Sequence, residues 1–256
     1  MYPVLFKIGG LAFHTYGLLV AIGIVVGFQV IRHWAKKMSL PENQIQDLVF
    51  YTVIAGFIGA RLFYVLENWN NYRTDILGVF RIWEGGLVFY GGLVAGIICV
   101  LVLAKIFRIN LWRLADILVT GLAIGHFFGR LGCLSAGCCY GRPAPTGLGI
   151  TFTNPESLAI VGIPLYPTQL MEAVLVLLLF FLLWFILKKN VAAGITFSIY
   201  LVGYGLIRFF VEFYRGDFPR VYFWGLSLAQ FISVLAIILG IGLFNYFLFR
   251  PDENKS

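Results

Sequence analysis

Seven apolar stretches, each bounded by polar or basic residues, dominate this sequence: roughly 13–31, 48–66, 86–104, 115–129, 170–187, 193–210 and 226–248. A helix needs about 20 apolar residues to cross the hydrocarbon of a bilayer. Helices suit that solvent because they pair every backbone polar group internally. Seven such helices use most of a 256-residue chain and leave little for a separate water-soluble domain. Composition agrees: 60% of residues are apolar and 12% charged, where soluble domains run at about half and a quarter. These values exclude a single soluble globule, and a disordered chain as well. The expected fold class is an all-α integral membrane protein of about seven transmembrane helices, forming one polytopic domain over 1–256. The fourth stretch is the shortest and is rich in glycine, which predicts a half-buried or partly re-entrant helix covered by protein.

The net charge of +7 suggests nucleic acid in a soluble protein, but in a membrane protein it first sets topology. Arg32, Lys36 and Lys37 follow the first stretch; Lys105, Arg108 and Arg113 the third; Lys188 and Lys189 the fifth; Arg250 and Lys255 the last. These loops alternate correctly for seven spans. They are expected in the cytoplasm, with the N-terminus outward and the C-terminus inward. The start, MYPVLFKIGG, lacks the basic region and cleavage site of a signal peptide, so the first span is expected to do the targeting and remain.

The other side carries Lys7 with Arg61, Arg73, Arg81, Arg130, Arg142, Arg208, Arg215 and Arg220. Topology needs only positive charge, so lysine would serve. Arginine is preferred where a planar fork must bind phosphate or carboxylate. The surplus therefore points to an anionic ligand in the outward half, or else to pairing with Glu67, Asp75, Glu84, Glu212, Asp217 or lipid headgroups. The longest segment between spans, about 130–169, holds five prolines and a GITFT stretch that could form a short strand. It is expected to be a small outward cap.

Within the fourth stretch, Gly121, Gly125 and Gly129 lie four apart on one helix face and invite close approach of a neighbouring helix. His126 and Arg130 are also four apart, so their side chains can meet. Ionisable groups inside spans are costly and tend to mark function. In the sixth stretch Tyr204, Arg208, Glu212 and Arg215 fall at i, i+4, i+8 and i+11 among Phe, Val and Ile, a stripe that should face the bundle interior. Glu212 could fix both guanidinium groups. Cys133, Cys138 and Cys139 are spaced C-x4-C-C; adjacent cysteines seldom chelate one metal well, so packing is weighed above redox or nucleophilic use, and zinc comes last. No metal site and no cofactor is expected. HTYG (14–17), EGGLVFYGG (84–92) and YPTQLME (166–172) open the first, third and fifth spans, so polar groups from five spans converge on one side.

Taken together, HTYG at 14–17, GARLFYV at 59–65, WEGGLVFYGG at 83–92, GRLG at 129–132, YPTQLME at 166–172 and GYGLIRFFVEFYRGD at 203–217 resemble the bacterial prolipoprotein diacylglyceryl transferase family. The blocks come in family order and cover most of the chain. The resemblance implies seven spans with the N-terminus outward. It implies transfer of the diacylglyceryl group of phosphatidylglycerol to the thiol of a lipobox cysteine in a prolipoprotein signal peptide, at the outer leaflet of the cytoplasmic (inner) membrane, with release of glycerol phosphate. Two needs follow: the thiol must lose its proton, and the departing phosphate must meet fixed cations. No nucleic acid is expected as a partner.

The resemblance places Arg130 at the lipid-associated arginine of the G-R-x-G block, Arg208, Glu212 and Arg215 at the family's Arg–Glu–Arg run, Tyr16 in the H-x-Y-G block and Glu172 at the end of the P-S-Q-L-Y-E block. Arg208 is the expected phosphate contact and is grouped with Tyr90, His126 and Glu212 as catalytic; Arg130, Tyr16, Arg215, Tyr204 and Glu172 are expected to bind phosphatidylglycerol. The departures matter as much. Tyr90 stands where many members have a histidine proposed as the base, Cys133 where they have asparagine, Cys138 where they have glutamate, and Tyr166 where they have histidine. A histidine base in the third span is thus excluded, leaving Tyr90, His126, or phosphate oxygens and water. A related membrane lipid or thiol transferase with another acceptor, and a small-molecule transporter, are the alternative readings. An unobserved inverted repeat and one-sided polar groups count against the transporter.

Overall fold

A computed structural model describes residues 2–9, 11–73, 75–81, 85–145, 147–216 and 222–249. Glu84, Asp217, Arg220, Arg250 and Lys255, named above, lie outside them. The elements run β1 (Val4–Ile8), β2 (Leu11–His14), α1 (Thr15–Lys37), α2 (Glu42–Glu67), α3 (Trp69–Tyr72), a 3-10 turn (Ile76–Phe80), α4 (Phe89–Ile106) and α5 (Leu111–Ala136). After these come β3 (Ile150–Thr151), β4 (Pro164–Leu165), α6 (Thr168–Lys188), α7 (Ile195–Glu212), β5 (Tyr222–Phe223), β6 (Leu226–Ser227) and α8 (Leu228–Phe249). Among the described residues seven helices, all but the short α3, are long and apolar enough to cross a bilayer. The chain is an all-α integral membrane protein, its strands confined to three two-stranded antiparallel pairs, β1–β2, β3–β4 and β5–β6.

Two expectations are corrected here. The fourth span is not a short or re-entrant helix: α5 runs unbroken over 26 residues, Leu111–Ala136. Its glycines, His126 and Arg130 dilute its hydropathy. Burial against protein, as at Ala123 and Ile124, removes the need for a fully lipid-like surface. Consequently the segment expected as a cap from about 130 leaves the helix only after Ala136. The β1–β2 hairpin before α1 had no strand signal in the sequence reading.

The chain divides into two compact units, residues 1–31 with 115–256, and residues 32–114. In the second unit α2 and α4 pack closely through small residues. A Cβ on Gly59 would stand 2.6 Å from the Gly91 carbonyl oxygen, and one on Gly92 only 3.0 Å from that of Gly56. Contact of this kind supplies dispersion energy where lipid offers no hydrophobic driving force. Arg61, 6% exposed, organises the loop before α4. Its Nε donates to Val79 O (2.8 Å), Nη1 to Gly85 O (2.7 Å) and Gly86 O (3.1 Å), and Nη2 to Gly78 O (2.8 Å) and Arg81 O (3.2 Å). A guanidinium has five N–H donors, and all are spent on carbonyls. Arg61 therefore does not belong to an anion site. Arg61→Lys keeps the charge but replaces five fixed donors by three, so several part-buried carbonyls lose a partner. A marked loss of thermal stability in detergent is expected, and an unchanged unfolding curve would refute it.

The first unit holds the main core, with Val119, Ala123, Ile124, Val176, Leu179, Phe180, Leu183 and Tyr200 from α5, α6 and α7. The predicted glycine face of α5 is used in part. A Cβ on Gly27 of α1 would meet Gly121 O at 2.7 Å, and one on Gly23 would meet Gly125 O at 2.9 Å, while Gly129 has open space. Asp116, 2% exposed, fixes the start of α7 by accepting from the backbone N–H of Gly194 (2.8 Å) and Phe197 (2.7 Å). Those are orphan donors of a helix N-terminus, here satisfied from α5. At the other end of these helices the 137–167 segment closes over a small core of Phe152, Ala159 and Leu165, with Leu134 and Tyr140 against it. It includes β3 within the GITFT stretch. Backbone bonds from Gly141 N to Tyr166 O (2.9 Å), Arg142 N to Tyr214 O (2.8 Å) and Gly216 N to Tyr140 O (3.1 Å) tie it to the start of α6 and the end of α7.

Candidate active site

The end of α5, the start of α6 and the end of α7 bring five titratable side chains together. Glu172, one turn into α6 and 1% exposed, is the centre. Its Oε1 accepts from Arg130 Nη2 at 2.8 Å and from the Tyr204 hydroxyl at 3.2 Å, and lies 3.5 Å from His126 Nε2. Arg208 Nη1 lies 3.9 Å from its Oε2. One carboxylate from α6 thus binds α5 and α7 electrostatically. Removing either partner of such a pair strands a charge that burial makes expensive.

The sequence-predicted neighbours meet as their spacing implied. Arg130 Nε donates to His126 Nε2 at 3.1 Å, which assigns the imidazole lone pair at Nε2 as the acceptor. The His126 ring packs edge-on against Tyr204, centroids 5.1 Å apart, and Tyr204 stacks on Tyr200 at 5.8 Å. On α7, Arg208 Nη2 pairs with Glu212 Oε2 at 2.7 Å, the i,i+4 contact of the expected stripe. Glu212 was expected to fix Arg208 and Arg215 together. The structure gives Arg208 two carboxylates, Glu212 and Glu172. Arg215 lies beyond the last residue of α7, where its backbone bridges Gly141.

Arg208 Nη1 is buried without a hydrogen-bond partner among the described residues. Three other cations expected on that side are otherwise engaged. Arg81 pairs with Asp75 at 2.6 Å, Lys7 with Glu156 at 2.7 Å, and Arg142 lies over the Tyr214 ring at 5.8 Å. The arginine surplus thus divides into structural members, led by Arg61, and a buried pair, Arg130 and Arg208, on the Glu172 cluster.

Two further predicted residues are placed by helix starts. Tyr16 opens α1 and is 44% exposed; a Cβ on Gly132 would meet its ring at 3.0 Å, so that glycine leaves room for Tyr16 beside the Arg130 turn of α5. Tyr90, in the second unit, opens α4, 49% exposed, with its ring edge-on to Phe89.

The sequence reading missed how the cysteine segment is held. Gly137 ends α5 with φ +81°, a conformation that favours glycine, and a Cβ there would also collide with Ser157. Thr168 Oγ1 donates to Cys139 O (2.7 Å) and Gln169 Nε2 to Cys138 O (2.8 Å). Thr168 and Gln169 are buried residues of the YPTQLME block, so that block positions the turn as well as carrying Glu172. The Cys138 thiol donates to Cys133 O at 3.8 Å, and the two neighbouring thiols, with the positive charges of Arg215 and Arg130, hold the Cys139 thiol below the usual thiol range.

The family model for prolipoprotein diacylglyceryl transferase matches residues 3–246. Phosphatidylglycerol–prolipoprotein diacylglyceryl transferase 2 of Clostridium perfringens is 37% identical over 243 residues, covering 94% of each chain. The phosphatidylglycerol–prolipoprotein diacylglyceryl transferase of Clostridium tetani is 37% identical over 253 residues, covering 98% of this chain and 100% of that one. The one from Staphylococcus haemolyticus is 31% identical, covering 95% and 87%. A match of that length and identity, on a chain with seven spanning helices and its polar cluster at the expected blocks, shows that this protein belongs to the prolipoprotein diacylglyceryl transferase family.

Proposed function

We propose that this transferase moves the diacylglyceryl group of phosphatidylglycerol to the thiol of a lipobox cysteine in a prolipoprotein signal peptide. A carbon–sulfur bond forms as the carbon–oxygen bond to phosphate breaks. The electron pair leaves with glycerol phosphate, and the thiol proton passes to a base. The reading rests chiefly on Arg208. It is a buried guanidinium with a nitrogen still lacking an acceptor, next to Arg130 across Glu172, and a phosphate oxygen is the acceptor that suits it. Both cations favour the transition state over the diester because charge grows on the leaving oxygen.

In this reading Arg208 contacts the phosphate, with Glu212 and Glu172 orienting its fork. Arg130, Tyr16, Tyr204 and Arg215 border the lipid headgroup. The base is Tyr90, His126, or a phosphate oxygen with water. Engagement of the His126 Nε2 lone pair by Arg130 weighs towards the other two. The N-terminus and the site face the outer leaflet of the cytoplasmic membrane. Incubating the protein with phosphatidylglycerol and a synthetic lipobox peptide tests this by mass spectrometry. A thioether-linked diacylglyceryl adduct on the cysteine is expected. An unmodified peptide, with an adduct on another acceptor or solute uptake into proteoliposomes, would overturn it. Full activity in both Tyr90→Phe and His126→Ala would leave phosphate and water as the base.

A further inference from the structure

The Sγ atoms of Cys133, Cys138 and Cys139 all lie within 4.8 Å of one another. None is in a disulfide, and all three are half-buried. The sequence pattern argues against such a cluster, since side chains of adjacent residues ordinarily diverge. The backbone resolves this. Cys139 has φ +60°, a left-handed conformation that costs an ordinary L-residue about 1–2 kcal/mol. It follows Gly137, also at positive φ, and this turn brings Cys138 and Cys139 to the same side as Cys133 on the last turn of α5. The carbonyls of Cys138 and Cys139 are held by Gln169 and Thr168, so the strained turn is braced from α6.

We infer that Cys133, Cys138 and Cys139 form a three-sulfur binding site for a soft, thiophilic metal cation such as copper(I) or zinc(II). The geometry is close to what such an ion requires. With metal–sulfur bonds of about 2.3 Å, three sulfurs around one ion stand roughly 4 Å apart, so rotamer adjustment of a few tenths of an ångström to under one ångström closes the triangle. The chemistry of the donor set selects the metal. Thiolates favour copper(I) and zinc(II) over magnesium or calcium. Three sulfurs satisfy an ion of low coordination number or leave one position of a tetrahedral ion open. Thiolate ligation of a divalent ion releases up to three protons and moves no electrons. It leaves one excess negative charge, beside Arg130 one turn earlier on α5 and Arg215 bridged to Gly141. The test of this site does not measure transfer.

The test is a titration of the full-length protein, purified in detergent and kept reduced, with cadmium(II) as the probe. Ultraviolet sulfur-to-metal absorption and proton release are read together. One equivalent is expected to saturate the band with release of two to three protons. Cys99→Ser should leave the band unchanged. Cys133→Ser, Cys138→Ser and Cys139→Asn, the last suited to left-handed backbone, should each weaken binding by more than the roughly 10–100-fold that loss of an outer partner costs. A reduced wild-type protein without a saturable band overturns the inference, and so does a band that persists in Cys139→Asn.

Discussion

Arg208→Ala is expected to lower kcat/KM for diacylglyceryl transfer by about 100- to 1,000-fold, the usual cost of removing one fixed donor at a developing anion. The substitution removes the nitrogen without a hydrogen-bond partner that is proposed to meet the phosphate, and also strands Glu212, whose Oε2 Arg208 meets at 2.7 Å. The two effects are separable. Glu212→Gln keeps Arg208 and loses only its orientation, so it should cost less. Arg208→Lys keeps a point charge without the fork and should recover part of the rate. Initial rates on a lipobox peptide, beside thermal unfolding in detergent, give the comparison. An Arg208→Ala protein that folds and transfers at the wild-type rate would remove the phosphate role.

The second large effect is at Glu172. Breaking a buried ion pair by removing one partner costs about 3–5 kcal/mol, and Glu172→Leu deserts two guanidiniums at once. A pronounced fall in the unfolding midpoint is expected. Glu172→Gln keeps the shape and one acceptor oxygen, so it should fold better yet still transfer slowly. With Arg130 and Arg208 no longer drawn together, its loss should fall on kcat more than on KM for phosphatidylglycerol. A purely structural defect would also lower the apparent kcat at unchanged KM, so rates are referred to the folded fraction measured in the same sample, and a kcat loss per folded enzyme marks a positioning residue. Wild-type stability and kinetics in Glu172→Gln would show that the cluster needs no charge at its centre.

The spans were readable because lipid imposes length and apolarity on each one. The stretch expected at 115–129 shows the limit. α5 is long, yet its hydropathy is lowered by groups that face protein, and a linear scan cannot distinguish a helix facing protein from one too short to cross. Local pairs were equally readable. His126 with Arg130 and Arg208 with Glu212 follow from a four-residue spacing on a helix. The role of Glu172 was hidden because its partners come from two other helices, 42 residues before it and 32 after, and no periodicity links them. Arg61 and Arg208 look alike in the sequence. Only the carbonyls around one and the missing hydrogen-bond acceptor at the other separate a brace from a proposed binding group. The thiol cluster was judged from side-chain alternation, which a single left-handed residue at Cys139 reverses.

Both guanidiniums of the Glu172 cluster already have an anion: Glu172 holds Arg130, and Glu212 holds Arg208. On the proposed role of this site, a phosphodiester entering it exchanges for part of that internal coordination instead of filling an uncompensated positive hole. The net attraction for the lipid is a difference between two anions and stays modest. The same carboxylates wait to reclaim their partners once glycerol phosphate, which carries more charge than the diester, has formed. A site of bare arginines would hold that product tightly. In the proposed reaction this one carries the means of displacing it in its resting state, and the charges that weaken the first encounter also protect turnover.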